Sequence, residues 1–130
     1  MSDIKVGIDA ISFFTSNYFL DLKTLADARG IDVNKFYVGL GQKQMGIPAP
    51  DEDIVTLASN AASRVLKWVD PNDIDTLIFA TESGIDQSKS AGLFVHQLLN
   101  IPSACRILEV KQACYSCTGA MMLMLPKLIQ

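Results

Sequence analysis

The sequence predicts an α/β fold with a central, mostly parallel sheet covered by helices, and three observations carry that expectation. Strand-like and helix-like segments alternate along the second half of the chain, the order that right-handed crossovers turn into a parallel layer. The run Thr76-Leu77-Ile78-Phe79-Ala80 is continuously apolar rather than alternating, as suits a strand covered on both faces. The 130 residues are 49% hydrophobic and only 19% charged, against roughly a quarter charged in an ordinary soluble domain. That length supports one domain with a core and is too short for two.

Taken in order, residues 4–8 read as a short strand that contains Gly7 and ends at Asp9, with a polar turn around Thr15-Ser16-Asn17. A helix is expected from near Asp21, with Leu22, Leu25 and Ala26 on one face and a stop at Gly30. Asp32 caps a second, short helix carrying Phe36 and Tyr37, which ends in the loop Gly39-Leu40-Gly41-Gln42, extended by Pro48 and Pro50. Asp51, Glu52 and Asp53 place negative charge at the next helix start, and Ile54, Leu57, Ala58, Ala61, Ala62 and Val65 follow at helical spacing up to Trp68. After the strand over residues 76–80 comes a loop over 81–89, then a helix with Leu93, Phe94, Leu98 and Leu99 packed inward. Pro102 closes that connection, Ile107-Leu108-Glu109-Val110 reads as the next strand, and residues 119–125 open a last helix.

Two strands that each need cover on both faces exceed what these helices supply, and the segment from Leu123 through Pro126 to Gln130 leaves apolar side chains unmatched. The plainer reading is a compact sheet domain with a frayed tail; the expectation is a single segment over residues 1–130, completed by layers from another chain or from a continuation of this one.

Eleven basic and 14 acidic side chains give a formal net charge of -3, which leaves no cationic excess for a phosphate backbone, so nucleic acid is not expected as a partner. The most apolar stretch, Ala120-Met121-Met122-Leu123-Met124-Leu125, is broken by Pro126 and falls short of the roughly 18 residues a membrane span needs. Residues 1–7 show no basic region followed by an apolar one, so no signal peptide and a cytoplasmic location are expected. Three cysteines are an odd number for a disulfide framework, and each thiol is weighed singly. No solenoid repeat is visible. Gly39-Leu40-Gly41 lacks the further glycines of a dinucleotide fingerprint, and a P-loop is missing.

Cys114 falls just after a predicted strand, at the mouth of a predicted helix. A thiol there meets the positive end of the helix dipole and its unpaired N–H groups, which favour thiolate and supply an oxyanion donor. The same junction also suits a small buried apolar residue, and position alone leaves both readings open. Cys114 and Cys117 form a C-x-x-C, but zinc needs two further ligands, only Cys105 and His96 are left over, and no redox context of the thioredoxin kind precedes the pair. Glu82 follows the strand over 76–80 and projects from a carboxyl end of the parallel sheet, where α/β folds bind ligands. A carboxyl near a thiol in an apolar pocket can move protons near neutrality, while a cap or a solvated loop acid is the plainer role. Asp86, Lys89 and Ser90 read as surface or capping residues, His96 as a satisfied helix histidine, and Arg29 and Lys35 as solvated charges near a helix end.

Several of these words occur in an order that resembles a known family. Tyr37-Val38-Gly39-Leu40-Gly41-Gln42 with Met45-Gly46, then Glu52-Asp53-Ile54, then Thr81-Glu82-Ser83-Gly84-Ile85-Asp86 with Ser88-Lys89-Ser90, then Ala113-Cys114-Tyr115, are similar to 3-hydroxy-3-methylglutaryl-CoA (HMG-CoA) synthases from residue 6 to about 119. The resemblance implies a thiolase-like layered fold of which this is the N-terminal third. It implies that Cys114 accepts an acetyl group from acetyl-CoA as a thioester, and that Glu82 takes a methyl proton so that the enolate attacks acetoacetyl-CoA. It implies no cofactor beyond these CoA thioesters, a homodimer, and a place for Arg29 near the CoA phosphates. The family's ketone-polarising histidine is matched by no residue of this chain, which leaves a complementary C-terminal chain or remainder to supply it. Cys117 stands where the family tends to carry a small residue, and Pro126 departs from the uninterrupted helix expected there. Glu82-Ser83-Gly84-Ile85-Asp86 and Val110-Lys111-Gln112-Ala113-Cys114-Tyr115-Ser116 are similar as well to the polyketide β-branching enzymes that act on acyl-carrier protein. An inactive fragment or interaction domain is the third alternative; Gly39-Leu40-Gly41-Gln42 and Met45-Gly46 favour the mevalonate enzyme.

Overall fold

The computed structural model describes residues 6–128, with side chains as far as Met124. It divides into two compact units, residues 14–53 and residues 6–13 with 54–128.

In the smaller unit, strand β1 (Tyr18–Asp21) runs directly into helix α1 (Leu22–Arg29), a short helix α2 (Asn34–Tyr37) follows, and strand β2 (Gln44–Ile47) returns. The two strands pair antiparallel, with Tyr18 opposite Ile47 and Asp21 opposite Gln44. Asp21 serves both elements: its carboxylate accepts the backbone N–H groups of Lys23 at 2.8 Å and Thr24 at 3.3 Å and so caps α1. Leu22 and Ala26 are the buried face of α1, with Leu25 half-buried beside them, and the helix closes on Gly30 at φ +62°, as the sequence predicts. Asp32 accepts the Asn34 N–H at 2.9 Å at the start of α2. The hairpin is a departure from the expected loop over residues 39–50. Its strands give weak signals because β1 has no turn between itself and α1, and β2 contains Gly46 and exposes every residue.

The larger unit carries helix α3 (Ile54–Val65), a 3-10 turn at Pro71–Asp73, strand β3 (Thr76–Thr81), helix α4 (Ala91–Leu98), strand β4 (Arg106–Lys111), a 3-10 turn at Ala113–Tyr115 and helix α5 (Ser116–Leu128). β3 and β4 pair parallel, from Thr76 opposite Arg106 to Thr81 opposite Lys111, as the continuous apolar run of β3 and the strand–helix–strand order predict. Val55 of α3, Phe79 of β3 and Ala91 and Val95 of α4 form the buried core, with Leu77, Phe94 and Leu99 packed against it. α4 approaches the sheet through its smallest residues. A Cβ at Gly92 would fall 2.9 Å from Leu77 Cδ2 and 3.0 Å from Ile107 Cγ2, so glycine is what lets the helix sit that low. This close seat turns the predicted face of α4 by part of a turn: Phe94 and Leu99 pack as expected, whereas Leu93 is 41% and Leu98 58% exposed.

Two further expectations change. Residues 6–8 form no ladder and so no strand, while residues 4 and 5 of that expected strand lie outside the described residues. α5 begins at Ser116 rather than Gly119 and its backbone continues through Pro126, whereas the expectation about the tail beyond Met124 concerns side chains outside the described residues. Where described, α5 exposes Met121, Met122 and Leu123, β4 exposes Leu108, and Ile8, Ile11 and Phe13 are exposed in the preceding segment. Among the described residues no helix is long and apolar enough to cross a membrane.

Candidate active site

The parallel register of β3 and β4 builds the site. Thr81 and Lys111 are the last paired residues, so Glu82 lies one residue and Cys114 three residues beyond the same carboxyl edge of the sheet. This is the edge at which α/β sheets present ligands, and both side chains are solvent-exposed there.

Cys114 is the middle residue of the 3-10 turn between β4 and α5. Ala113 before it has φ +44°, a left-handed conformation that an L side chain adopts only where its surroundings hold it. Two bonds do so. The Tyr115 N–H donates to the Gln112 carbonyl at 3.0 Å, and the buried Ser116 hydroxyl donates to the Ala113 carbonyl at 2.8 Å. The chain thus turns sharply out of the strand and leaves Cys114 exposed just ahead of α5. A thiol two residues ahead of α5 lies near the positive end of the helix dipole, the partial charge that favours a thiolate and an oxyanion.

On the β3 side the Thr81 hydroxyl donates to the Ser83 carbonyl at 3.1 Å, which fixes the bend that carries Glu82. Asp86 organises the rest of that loop, its carboxylate accepting the N–H groups of Ser88 and Lys89 at 2.7 Å each. The Lys89 and Ser88 N–H bonds hold the Asp86 carboxyl below the usual aspartate range. Ser90 caps α4 by accepting the Gly92 N–H at 3.0 Å. The capping roles predicted for Asp86 and Ser90 are the ones they have, and Lys89 lies 4.0 Å over the Phe94 ring.

Glu109 and Lys111, two acceptor and donor groups of the site's floor, were not singled out by the sequence. Glu109 on β4 has a side chain only 8% exposed, with Oε2 accepting the Ala91 N–H at 2.5 Å and Oε1 3.1 Å from Lys111 Nζ. The signal available was a charged residue inside the apolar strand word Ile107-Leu108-Glu109-Val110, because a charge in such a place needs partners. Burial opposes the charged form of Glu109, but the Ala91 N–H, the Lys111 ammonium and the Ser90 hydroxyl outweigh it and leave the carboxyl below the ordinary glutamate value. With the folded value lower than the unfolded one, this stabilisation is present above the ordinary glutamate range and is lost as pH falls through the lowered value. Glu109→Gln is therefore expected to flatten the acid limb of stability. Urea unfolding midpoints taken from neutral pH downward check this, and an acid limb as steep as the parent's would contradict it.

The remaining predicted residues fall elsewhere. Cys117 lines an apolar cavity of about 420 Å³ with Val6, Ile8, Ile78, Ala80 and Met121. Cys105 is buried, and burial pushes its thiol up. All three thiols are free, and among the described residues no group of His, Cys, Asp and Glu has the arrangement of a metal site. His96 is half-buried and tied through Nε2 to the Pro102 carbonyl at 3.0 Å, the structural role its sequence context suggests. Arg29 belongs to the smaller unit, where it is the exposed last residue of α1.

Residues 3–127 match the family model described as hydroxymethylglutaryl-coenzyme A synthase N terminal. The chain is 45% identical over 120 residues to the hydroxymethylglutaryl-CoA synthase of Enterococcus faecalis, covering 92% of this chain and 31% of that protein. It is 38% identical over 119 residues to a polyketide biosynthesis 3-hydroxy-3-methylglutaryl-ACP synthase of Bacillus subtilis (strain 168), covering 89% of this chain and 28% of that one. A solved structure described as MvaS in complex with 3-hydroxy-3-methylglutaryl coenzyme A superposes with a TM-score of 0.87 at 38% identity, covering 94% of this chain and 30% of the other. The chain thus spans about a third of the length of the relatives it matches. A nearly full-length family match, a high-scoring superposition and a parallel layer ending in these two side chains agree on one conclusion: the fold is thiolase-like, and the chain belongs to the hydroxymethylglutaryl-CoA synthase family, matching its N-terminal region.

Proposed function

We propose that the protein containing this chain is an acyltransferase that condenses acetyl-CoA with acetoacetyl-CoA to give HMG-CoA, with Cys114 as nucleophile and Glu82 as the proton-transfer carboxylate. The observation that carries this is the β3–β4 register, which delivers a thiol on a helix-opening turn and a carboxylate to one edge of the sheet. The Cys114 thiolate attacks the acetyl carbonyl, coenzyme A leaves as its thiolate, and an acetyl thioester remains. Backbone N–H groups at the start of α5 suit the thioester oxygen and make the methyl protons more acidic. The Glu82 carboxylate takes one of these protons, the resulting enolate attacks the ketone of acetoacetyl-CoA, and water releases the product from Cys114.

Support for the mevalonate substrate comes from the 45% identity to the Enterococcus faecalis enzyme and from the words around Gly39, Gly41 and Gly46. The Bacillus subtilis relative, named as an ACP synthase, supports a second reading in which acyl-carrier protein bears the acceptor in polyketide β-branching. The relatives' threefold greater length and the exposed Met121, Met122 and Leu123 support completion of the fold by a C-terminal remainder, continuous or as a separate chain, which supplies the polarising histidine. Dimerisation, a cytoplasmic setting and contact of Arg29 with the CoA phosphates belong to the same proposal, and three free thiols are consistent with a reducing compartment. The discriminating experiment supplies the complete protein with acetoacetyl-CoA and, separately, with acetoacetyl-carrier protein. Faster turnover of the CoA thioester is expected, and a clear preference for the carrier protein would overturn the mevalonate reading.

A further inference from the structure

The loop that carries Glu82 is neither helix nor strand and is shaped by the local bonds of Thr81 and Asp86, yet Glu82 has to be held at a fixed place relative to the sheet for proton transfer. Further support comes from the neighbouring strand. Lys111, the last residue of β4, donates from Nζ to the Asp86 carbonyl at 2.8 Å and sits 3.1 Å from Glu109 Oε1. Glu109 in turn holds the first N–H of α4 at Ala91, the element into which the loop runs. Ahead of these two anchors the loop backbone lies directly on the ion pair: a Cβ at Gly84 would fall 2.5 Å from Glu109 Oε1 and 2.6 Å from Lys111 Nζ. The absence of a side chain at Gly84, two residues past Glu82, is what permits this contact. The loop is thus referred to β4 at Gly84, at Asp86 and where it enters α4, and β4 is the strand that also leads into Cys114. An ammonium neutralised by a buried carboxylate keeps a fixed position, whereas a solvated lysine does not.

We infer that Lys111, held by Glu109, is a positioning residue for Glu82: it clamps the β3–α4 loop through the Asp86 carbonyl and the seat of Gly84, and so sets the proton-transfer carboxylate relative to the acetyl group on Cys114. This rests on the proposed roles of Cys114 and Glu82. It separates two steps that share one site, since acyl transfer to Cys114 depends on the β4–α5 turn and proton removal depends on the clamped loop.

The test uses the complete protein and two readouts, acetylation of Cys114 from acetyl-CoA followed by mass spectrometry and the rate of condensation with acetoacetyl-CoA. Lys111→Met is expected to lower condensation by about 10- to 100-fold, the scale of a small misplacement of a catalytic group, while Cys114 acetylation stays within about threefold of the parent. Lys111→Arg, which keeps the charge and the donor, is expected to recover most of the condensation rate. Equal loss of acetylation and condensation in Lys111→Met, or no loss in either, overturns the positioning role while leaving the site assignment standing. A parent protein that condenses acetyl-CoA without acetylating Cys114 overturns the site assignment, and the positioning role with it.

Discussion

Cys114→Ala in the complete protein is expected to lower condensation by roughly four orders of magnitude or more, the scale on which removal of a covalent nucleophile acts, while leaving the fold intact. The side chain is exposed, so its loss opens no core cavity, and the bonds that shape the turn come from Tyr115, Ser116 and the backbone rather than from the thiol. Cys117→Ala is the informative comparison. Cys117 is also exposed and free, but it borders the apolar cavity against β3 rather than occupying the turn, so its replacement is expected to change the rate by less than about tenfold. Initial rates with saturating acetyl-CoA and acetoacetyl-CoA check both. Similar losses at the two cysteines would move the argument from a nucleophile to a C-x-x-C pair acting together.

The second large effect is expected at Glu82. Replacing it by Gln keeps the size of the side chain and removes the ability to accept a proton, so condensation is expected to fall by about 10²- to 10⁴-fold, the usual range for a positioned acid or base. Acyl transfer to Cys114 does not need a methyl proton removed, so accumulation of the acetyl thioester is expected to remain near the parent level. The two measurements on one variant therefore separate proton transfer from acyl transfer. A Glu82→Gln protein that condenses at the parent rate would return Glu82 to the role of a solvated loop acid.

Much of the site was legible in the sequence because its signals are local. A continuous apolar run names a covered strand, the loop after it names the sheet edge, and a thiol between a strand and a helix names a helix-opening position; those facts place Glu82 and Cys114, while their roles come from the family resemblance. Asp21 and Gly30 likewise bracket α1 by cap chemistry alone. What was hidden is what depends on partners distant in sequence. β1 and β2 define each other only by pairing, and Asp21 conceals the boundary by ending a strand and starting a helix at once. The face that α4 buries is set by the space over Leu77 and Ile107, which favours Ala91, Gly92 and Val95 over the larger Leu93 and Leu98. The clamp of Glu109 and Lys111 needs the loop folded back onto β4, and nothing in the word Glu109-Val110-Lys111 says where that loop lies.

Cys114, presented by the turn between β4 and α5, is the proposed acceptor of the acyl group. Incubating the complete protein with acetyl-CoA in the absence of acetoacetyl-CoA, then locating the modification by peptide mass spectrometry, tests it most directly. One acetyl group on the peptide containing Cys114, lost in Cys114→Ala, is the predicted result. Acetyl transfer to Cys117 or Cys105, or turnover with no acyl protein formed at all, would contradict it.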